Sequence, residues 1–403
     1  MTATGLLSLL AFAGAVAVMG TSELHRARSG STQPAIVQNP APDTASPAYR
    51  ISAEPVILVG GLNDDERYEI LAFSDATILA SGNLAVAIGS RMPRATQIRI
   101  YGPRGRFVRS FGREGQGPGE FSRIARLIPL GDSLLVHDAG LGRRTLFDSV
   151  GTVVRTIPDA GSDRCCFSDG SYLIVTGAGP NLDAIDAGDP AIRDSMVLRI
   201  GRPGSTAALE RILTLPSFTR PICVTPRVRP ANRCPASIIP PFSPTPVVAI
   251  AGDEIVYGDG STYEYLVYSP RGQLLRTVRA AVTPRRPTAD EVSRAQDGWI
   301  GTGRDRELRV AAWGKYRIPA TAPVYHALLT EDDGTVWIGS RAPSGSENRW
   351  ARFDRSGKLI GTVRTPGGAR VVRFLGPYAI LARYDRETQT QTIAVHRIER
   401  IAR

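Results

Sequence analysis

Residues 101–111 read YGPRGRFVRSF, and the pattern returns at 147–157 (FDSVGTVVRTI), 268–278 (YSPRGQLLRTV) and 353–363 (FDRSGKLIGTV). Each copy has an aromatic residue, a short turn containing glycine, a pair of large apolar residues, then Arg or Gly followed by Ser or Thr. Pro103, Pro270 and Asp148 suit a type I turn, and Gly105, Gly151, Gly272 and Gly357 can take positive φ without steric cost. The pattern predicts a hairpin loop of four or five residues, with these glycines as structural turn residues. Upstream of each turn lies another apolar run (134–136, 255–257, 336–338), itself preceded by Asp132-Ser133, Gly252-Asp253 or Asp333-Gly334. A weaker copy, IGRPG, stands at 200–204. Repeats of about 40–50 residues containing four short strands specify propeller blades.

Working outward, six units can be placed: 74–111, 121–157, one starting near Cys165, 247–278, 325–363 and 371–401. The last contains only three strands, and 56–59 forms a strand with no partner of its own. The economical arrangement uses it to complete the last blade, which closes the ring and removes the exposed edges of an open array. The expected fold class is therefore all-β: a six-bladed β-propeller of four-stranded antiparallel blades over 54–403, closed by the N-terminal strand. Two stretches interrupt it. Residues 216–246 contain nine prolines, which cannot donate to a sheet ladder. Residues 284–324 contain Thr288-Ala-Asp-Glu, a helix-start sequence, and predict a short helical insertion.

Within this frame, residues 112–157, with GQGPGEF, LLVHDAGLGRRTLFDSVG and VVRTI, resemble an NHL repeat. From about residue 77 to 400 the chain resembles bacterial exported six-bladed propellers related to NHL domains. The resemblance implies the fold and leaves function open, since such relatives include protein- and RNA-binding modules, sugar-lactone hydrolases and a metal-dependent lyase.

Residues 3–20 are almost wholly apolar or small, with Ala15-Val16-Ala17 as a small-x-small cleavage site. Residues 1–20 therefore read as a signal peptide or an uncleaved N-terminal anchor, and the Pro/Ser-rich stretch 21–53 as a disordered linker. The implied location is extracytoplasmic, either periplasmic or secreted, with membrane contact only through an uncleaved leader. The net charge of +11 comes from 49 basic residues, of which only Lys315 and Lys358 are lysine. The arginines are scattered along the chain, so the charge does not point to nucleic acid.

Cys165, Cys166, Cys223 and Cys234 are disulfide candidates in an exported chain. Either the vicinal pair bridges to Cys223 and Cys234 in some order, or Cys223–Cys234 forms alone. No GxSxG, P-loop or CxxC is present, and no catalytic or cofactor-binding residue is identified. The lyase relative implied by the resemblance holds a metal with histidines near the channel, which makes His137, Asp138 and His326 the nearest candidates for a divalent metal. The arginines that follow the turns (Arg109, Arg155, Arg276) read either as contacts between blades or as a guanidinium ring for an acidic partner. The expectation is a monomeric binding or scaffold module for a protein or small-molecule ligand, with the two insertions as its recognition surface. The alternative is a channel-mouth hydrolase or lyase using a divalent metal.

Overall fold

The structure is a computed structural model that describes residues 33–43, 46–89, 94–158, 167–177, 193–202, 209–219, 222–223, 237–238, 240–302, 306–341 and 347–402. Residues 34–403 form one compact unit. Antiparallel sheets follow one another along the chain as six blades in a ring. Blade one comprises Ala72–Ile78, Leu84–Gly89, Gln97–Tyr101 and Phe107–Phe111, and blade two Ile124–Leu130, Ser133–Asp138, Arg143–Phe147 and Val153–Pro158. Blade four comprises Val247–Ala251, Glu254–Gly258, Glu264–Tyr268 and Leu274–Ala280, and blade five Ala327–Thr330, Val336–Arg341, Glu347–Phe353 and Leu359–Pro366. In blade three, Tyr172–Thr176, Arg193–Gly201 and Glu210–Thr219 follow a Phe167–Ser171 turn of the kind that joins first to second strands elsewhere. They therefore occupy its second to fourth positions. Glu210–Thr219 extends through Pro216, which sits opposite Ser195, so the proline-rich stretch begins while the ladder is still running.

Blade six comprises Arg370–Leu375, Tyr378–Tyr384 and Gln391–Arg400, and its outer strand is Ile57–Gly60, paired from Ile57↔Val395 to Gly60↔Thr392. The N-terminal strand thus closes the ring as the pattern required. The apolar cores lie between blades: Ile57, Val59, Phe73, Val86 and Ile393 fill the seam of blades six and one, and Trp337, Trp350 and Phe374 that of five and six. Where blade two meets blade three, Arg144 lies 4.4 Å from the Tyr172 ring centroid.

The recurrent turn sits where blades meet. Gly105, Gly151, Gly272 and Gly357 all have φ between +78° and +92°. A Cβ on Gly105 would stand 2.3 Å from the Leu58 carbonyl oxygen in blade six, and one on Gly272 2.3 Å from that of Ile212 in blade three. Glycine is needed there both for its conformation and for the close approach of the preceding blade's outer strand. The arginines after the turn complete the seam. Arg109 of blade one donates to the Ser149 carbonyl in the turn of blade two, and Arg276 of blade four to the Arg355 carbonyl in the turn of blade five at 2.7 Å. These two arginines are contacts between blades.

One expectation is corrected. Residues 21–53 were expected to be a disordered linker, yet Ala35–Asn39 and Tyr49–Ile51 within them are strands. Ala35–Asn39 adds a parallel fifth strand to the outer edge of blade four, from Ala35↔Arg276 to Asn39↔Ala280. Asn39 is buried and donates to the Gly357 carbonyl at 2.9 Å, while its side-chain oxygen accepts from Leu359 N–H at 2.8 Å. Thr362 of blade five donates to the Asp43 carbonyl, and Tyr49–Ile51 pairs with Ile398–Arg400 of blade six. The segment is a strap across the outside of three blades. Its proline-rich composition disguised it because most of its partners lie more than 200 residues away in sequence.

Candidate functional site

The innermost strands of blades one, two, four, five and six enclose a cavity of about 330 Å³ on the channel. Three of these strands are bulged at matching places. Pairing shifts between Phe73 and Asp75, between Ile124 and Arg126, and between Val371 and Arg373. In a straight strand, successive side chains alternate between faces. The extra residue of a bulge bends the strand and re-aims the side chains beyond it. Ser74 with Asp75, Ala125 with Arg126 and Val372 with Arg373 all contribute to the cavity wall. The strands of blades four and five show no such shift, and supply Val248, Ile250 and Leu328. The bulged strands thus bring Asp75, Arg126 and Arg373 to the wall and the unshifted strands bring aliphatic surface, with Glu331 and Asp332 at the blade-five end.

Two of the charged groups on this wall pair with each other. A guanidinium nitrogen of Arg373 lies 2.7 Å from the Asp75 carboxylate and 3.2 Å from the Leu127 carbonyl oxygen. The same carboxylate accepts from Leu127 N–H at 2.9 Å and Ala76 N–H at 3.0 Å. Glu331 is buried at the blade-five end; its carboxylate accepts from the Trp337 indole at 2.7 Å and from Gly376 N–H. Arg352 stands 3.6 Å away, and burial pushes the Glu331 carboxyl above its ordinary range. Such a wall offers hydrogen-bonding edges, charged groups and apolar surface to a small molecule.

The metal candidates do not assemble. His137 and Asp138 end the second strand of blade two, while His326 precedes the first strand of blade five, its N–H bonded to the Gly339 carbonyl. Asp138 is fully buried and accepts from the backbone N–H groups of Ser122, Arg123, Gly140 and Leu141. Its oxygens are spent on holding loops, which does not fit a metal ligand. Among the described residues no group of three His, Cys, Asp or Glu is placed to hold a metal ion. Cys165, Cys166 and Cys234 lie outside the described residues, as does the Cys223 side chain, and so do residues 1–32. No helix among the described residues is long and apolar enough to cross a membrane.

The cavity residues that motif reasoning passed over are Ser74, Asp75 and Glu331. The available signal for Asp75 was a carboxylate inside the apolar run AFSDATI. The two insertions meet: Tyr316, following helix α2 (Arg306–Lys315), donates its hydroxyl to the Pro241 carbonyl. Helix α1 (Ala289–Ile300) begins at Thr288 with a full capping box to Glu291, as its sequence predicts. Both insertions join an outer strand to the next blade's inner strand. Strand alternation therefore puts them on the face opposite the recurrent hairpin turns.

No family model matches the chain, and no curated protein does. Among solved structures, the chain is similar to a protein described as exported from Bacteroides fragilis, at 9% identity over 91% of this chain and 100% of the other, with a TM-score of 0.47. A DUF4221-family member from Bacteroides vulgatus is 10% identical over 88% and 99%, with a TM-score of 0.49. A virginiamycin B lyase from Staphylococcus aureus is 11% identical over 90% and 98%, with a TM-score of 0.37. Likeness this remote assigns no role to any residue.

Proposed function

We propose that this chain is an exported propeller that acts as a monomeric binding module, taking a small molecule in its channel and presenting the joined insertions to a partner. The observation that carries this reading is the cavity of about 330 Å³, which combines aliphatic surface with the paired Arg373 and Asp75. Pockets of this size and mixed lining suit a small ligand. The Tyr316–Pro241 contact supports the second half, because it brings both interruptions of the repeat to one place. Export rests on the apolar leader, and the NHL relationship on the residues of 112–157. The hydrolase or lyase alternative gains no support from a carboxylate already saturated by four N–H groups.

The test is a thermal-shift screen of a metabolite library against the full chain and against Val372→Trp, which fills the cavity from a bulge. Compounds that stabilise the wild type are expected to lose their effect in the variant. Equal stabilisation of both proteins overturns the channel reading.

A further inference from the structure

A second cavity, of about 320 Å³, lies where blades six and one meet, lined among others by Phe73, Ser74, Arg370, Tyr384 and Gln391. Arg370 begins the innermost strand of blade six and stacks its guanidinium 5.0 Å from the centroid of Phe73 in blade one. Among the described residues its side chain has no hydrogen bond and no ion pair. Asp75, whose field reaches it, is already held by Arg373 at 2.7 Å and by two backbone N–H groups. Solvent reaches the Arg370 side chain, yet the surrounding wall lowers its pKa below the ordinary guanidinium range. Ser74 is the bulged residue of blade one, and its hydroxyl oxygen is buried without a hydrogen-bond partner. A buried hydroxyl without a partner, beside a stacked guanidinium that only solvent satisfies, is an incomplete polar site.

We propose that this notch binds the carboxylate of a small organic acid. The planar Arg370 fork matches a carboxylate through two parallel N–H···O bonds, and Phe73 holds the fork in place by cation–π stacking. Ser74 and Gln391 supply neutral donors, and the exposed Tyr384 ring flanks the body of the acid. One guanidinium balances one negative charge, whereas a phosphate dianion would leave an excess charge facing Asp75. The site is distinct in its anchor from the channel cavity, although Ser74 contributes to both walls, and the proposal stands without the channel reading.

The experiment titrates the full chain with benzoate, benzamide and inorganic phosphate, followed by calorimetry and by protein NMR. Saturable benzoate binding is expected at millimolar concentration, with benzamide and phosphate at least about tenfold weaker, equivalent to about 1.4 kcal/mol. Arg370→Met loses benzoate binding by at least the same factor, and Ser74→Ala weakens it. Val372→Trp, which fills the channel, leaves it unchanged, so the two readings fail separately. Should Arg370→Met lower the unfolding midpoint, Arg370→Lys, which keeps a charge and a stem over Phe73 but lacks the fork, carries the test. Absence of saturable benzoate binding, or equal binding by the Arg370 variants, overturns the proposal. Tighter phosphate binding through Arg370 overturns the carboxylate assignment.

Discussion

Arg373 of blade six and Asp75 of blade one face each other across the ring closure at 2.7 Å, each placed one residue beyond a bulge. The pair joins the last blade to the first at the inner end of the seam, while Ile57–Gly60 joins them at the outer end. Residues 61–71 carry the chain from Ile57–Gly60 into blade one, so ring closure depends on the non-covalent pairing of that strand with Gln391–Arg400 at the outer end and on the Arg373–Asp75 pair at the inner end.

Removing one partner of this pair is expected to cost more than removing both. Asp75→Asn leaves the Arg373 charge largely buried without its counter-ion, and a loss of about 2–4 kcal/mol is expected. The Asp75→Asn/Arg373→Met double variant is expected to recover part of that loss. A double-mutant cycle by urea denaturation measures the coupling, and purely additive losses would contradict the arrangement.

The turn glycines separate two effects that are usually confounded. Gly82 has φ +82° and open space where a Cβ would go, whereas Gly105 has φ +80° and the Leu58 carbonyl oxygen 2.3 Å from that position. Gly82→Ala is expected to cost about 1 kcal/mol, the left-handed penalty alone. Gly105→Ala adds a backbone clash and is expected to cost about 3 kcal/mol or more. Denaturation midpoints of the two variants check this.

The strap hangs on Asn39. Asn39→Ala removes two donations, to the Gly357 and Arg279 carbonyls, and one acceptance from Leu359 N–H. A destabilisation of about 1–3 kcal/mol is expected. Hydrogen exchange should accelerate at Leu359 and along residues 35–39, with blades one and two unchanged. Uniform acceleration over all blades would show that the strap is not a separable element.

Acid should loosen helix α1 through Glu291. Its carboxyl is held down to about 2 by the Arg285 guanidinium, with further help from Thr288 N–H. A carboxyl with a depressed folded pKa stabilises the fold above its unfolded value of 4.5. That contribution is lost as pH falls from there toward 2. The helical circular dichroism signal should decline over that window in the wild type and lose this dependence in Glu291→Gln.

The sequence by itself determined the ring. The recurrence of an aromatic, a turn glycine and an apolar pair at 101–111, 147–157, 268–278 and 353–363 is local information, because a hairpin turn is specified by the residues within it. It placed the glycines, the helix start at Thr288 and the spare strand that closes blade six. The tertiary structure alone decided three other things. Ala35–Asn39 became a strand because the outer edge of blade four, distant in sequence, offered it a ladder. Bulges at Ser74, Ala125 and Val372 turned Asp75, Arg126 and Arg373 to the channel wall, and a bulge is a mismatch between two strands that neither strand carries alone. Arg370 became a stacked guanidinium because ring closure brought Phe73 beneath it from 297 residues earlier in the chain. Repeats encode blades, whereas sites form between blades, and proximity between blades is set by closure of the ring.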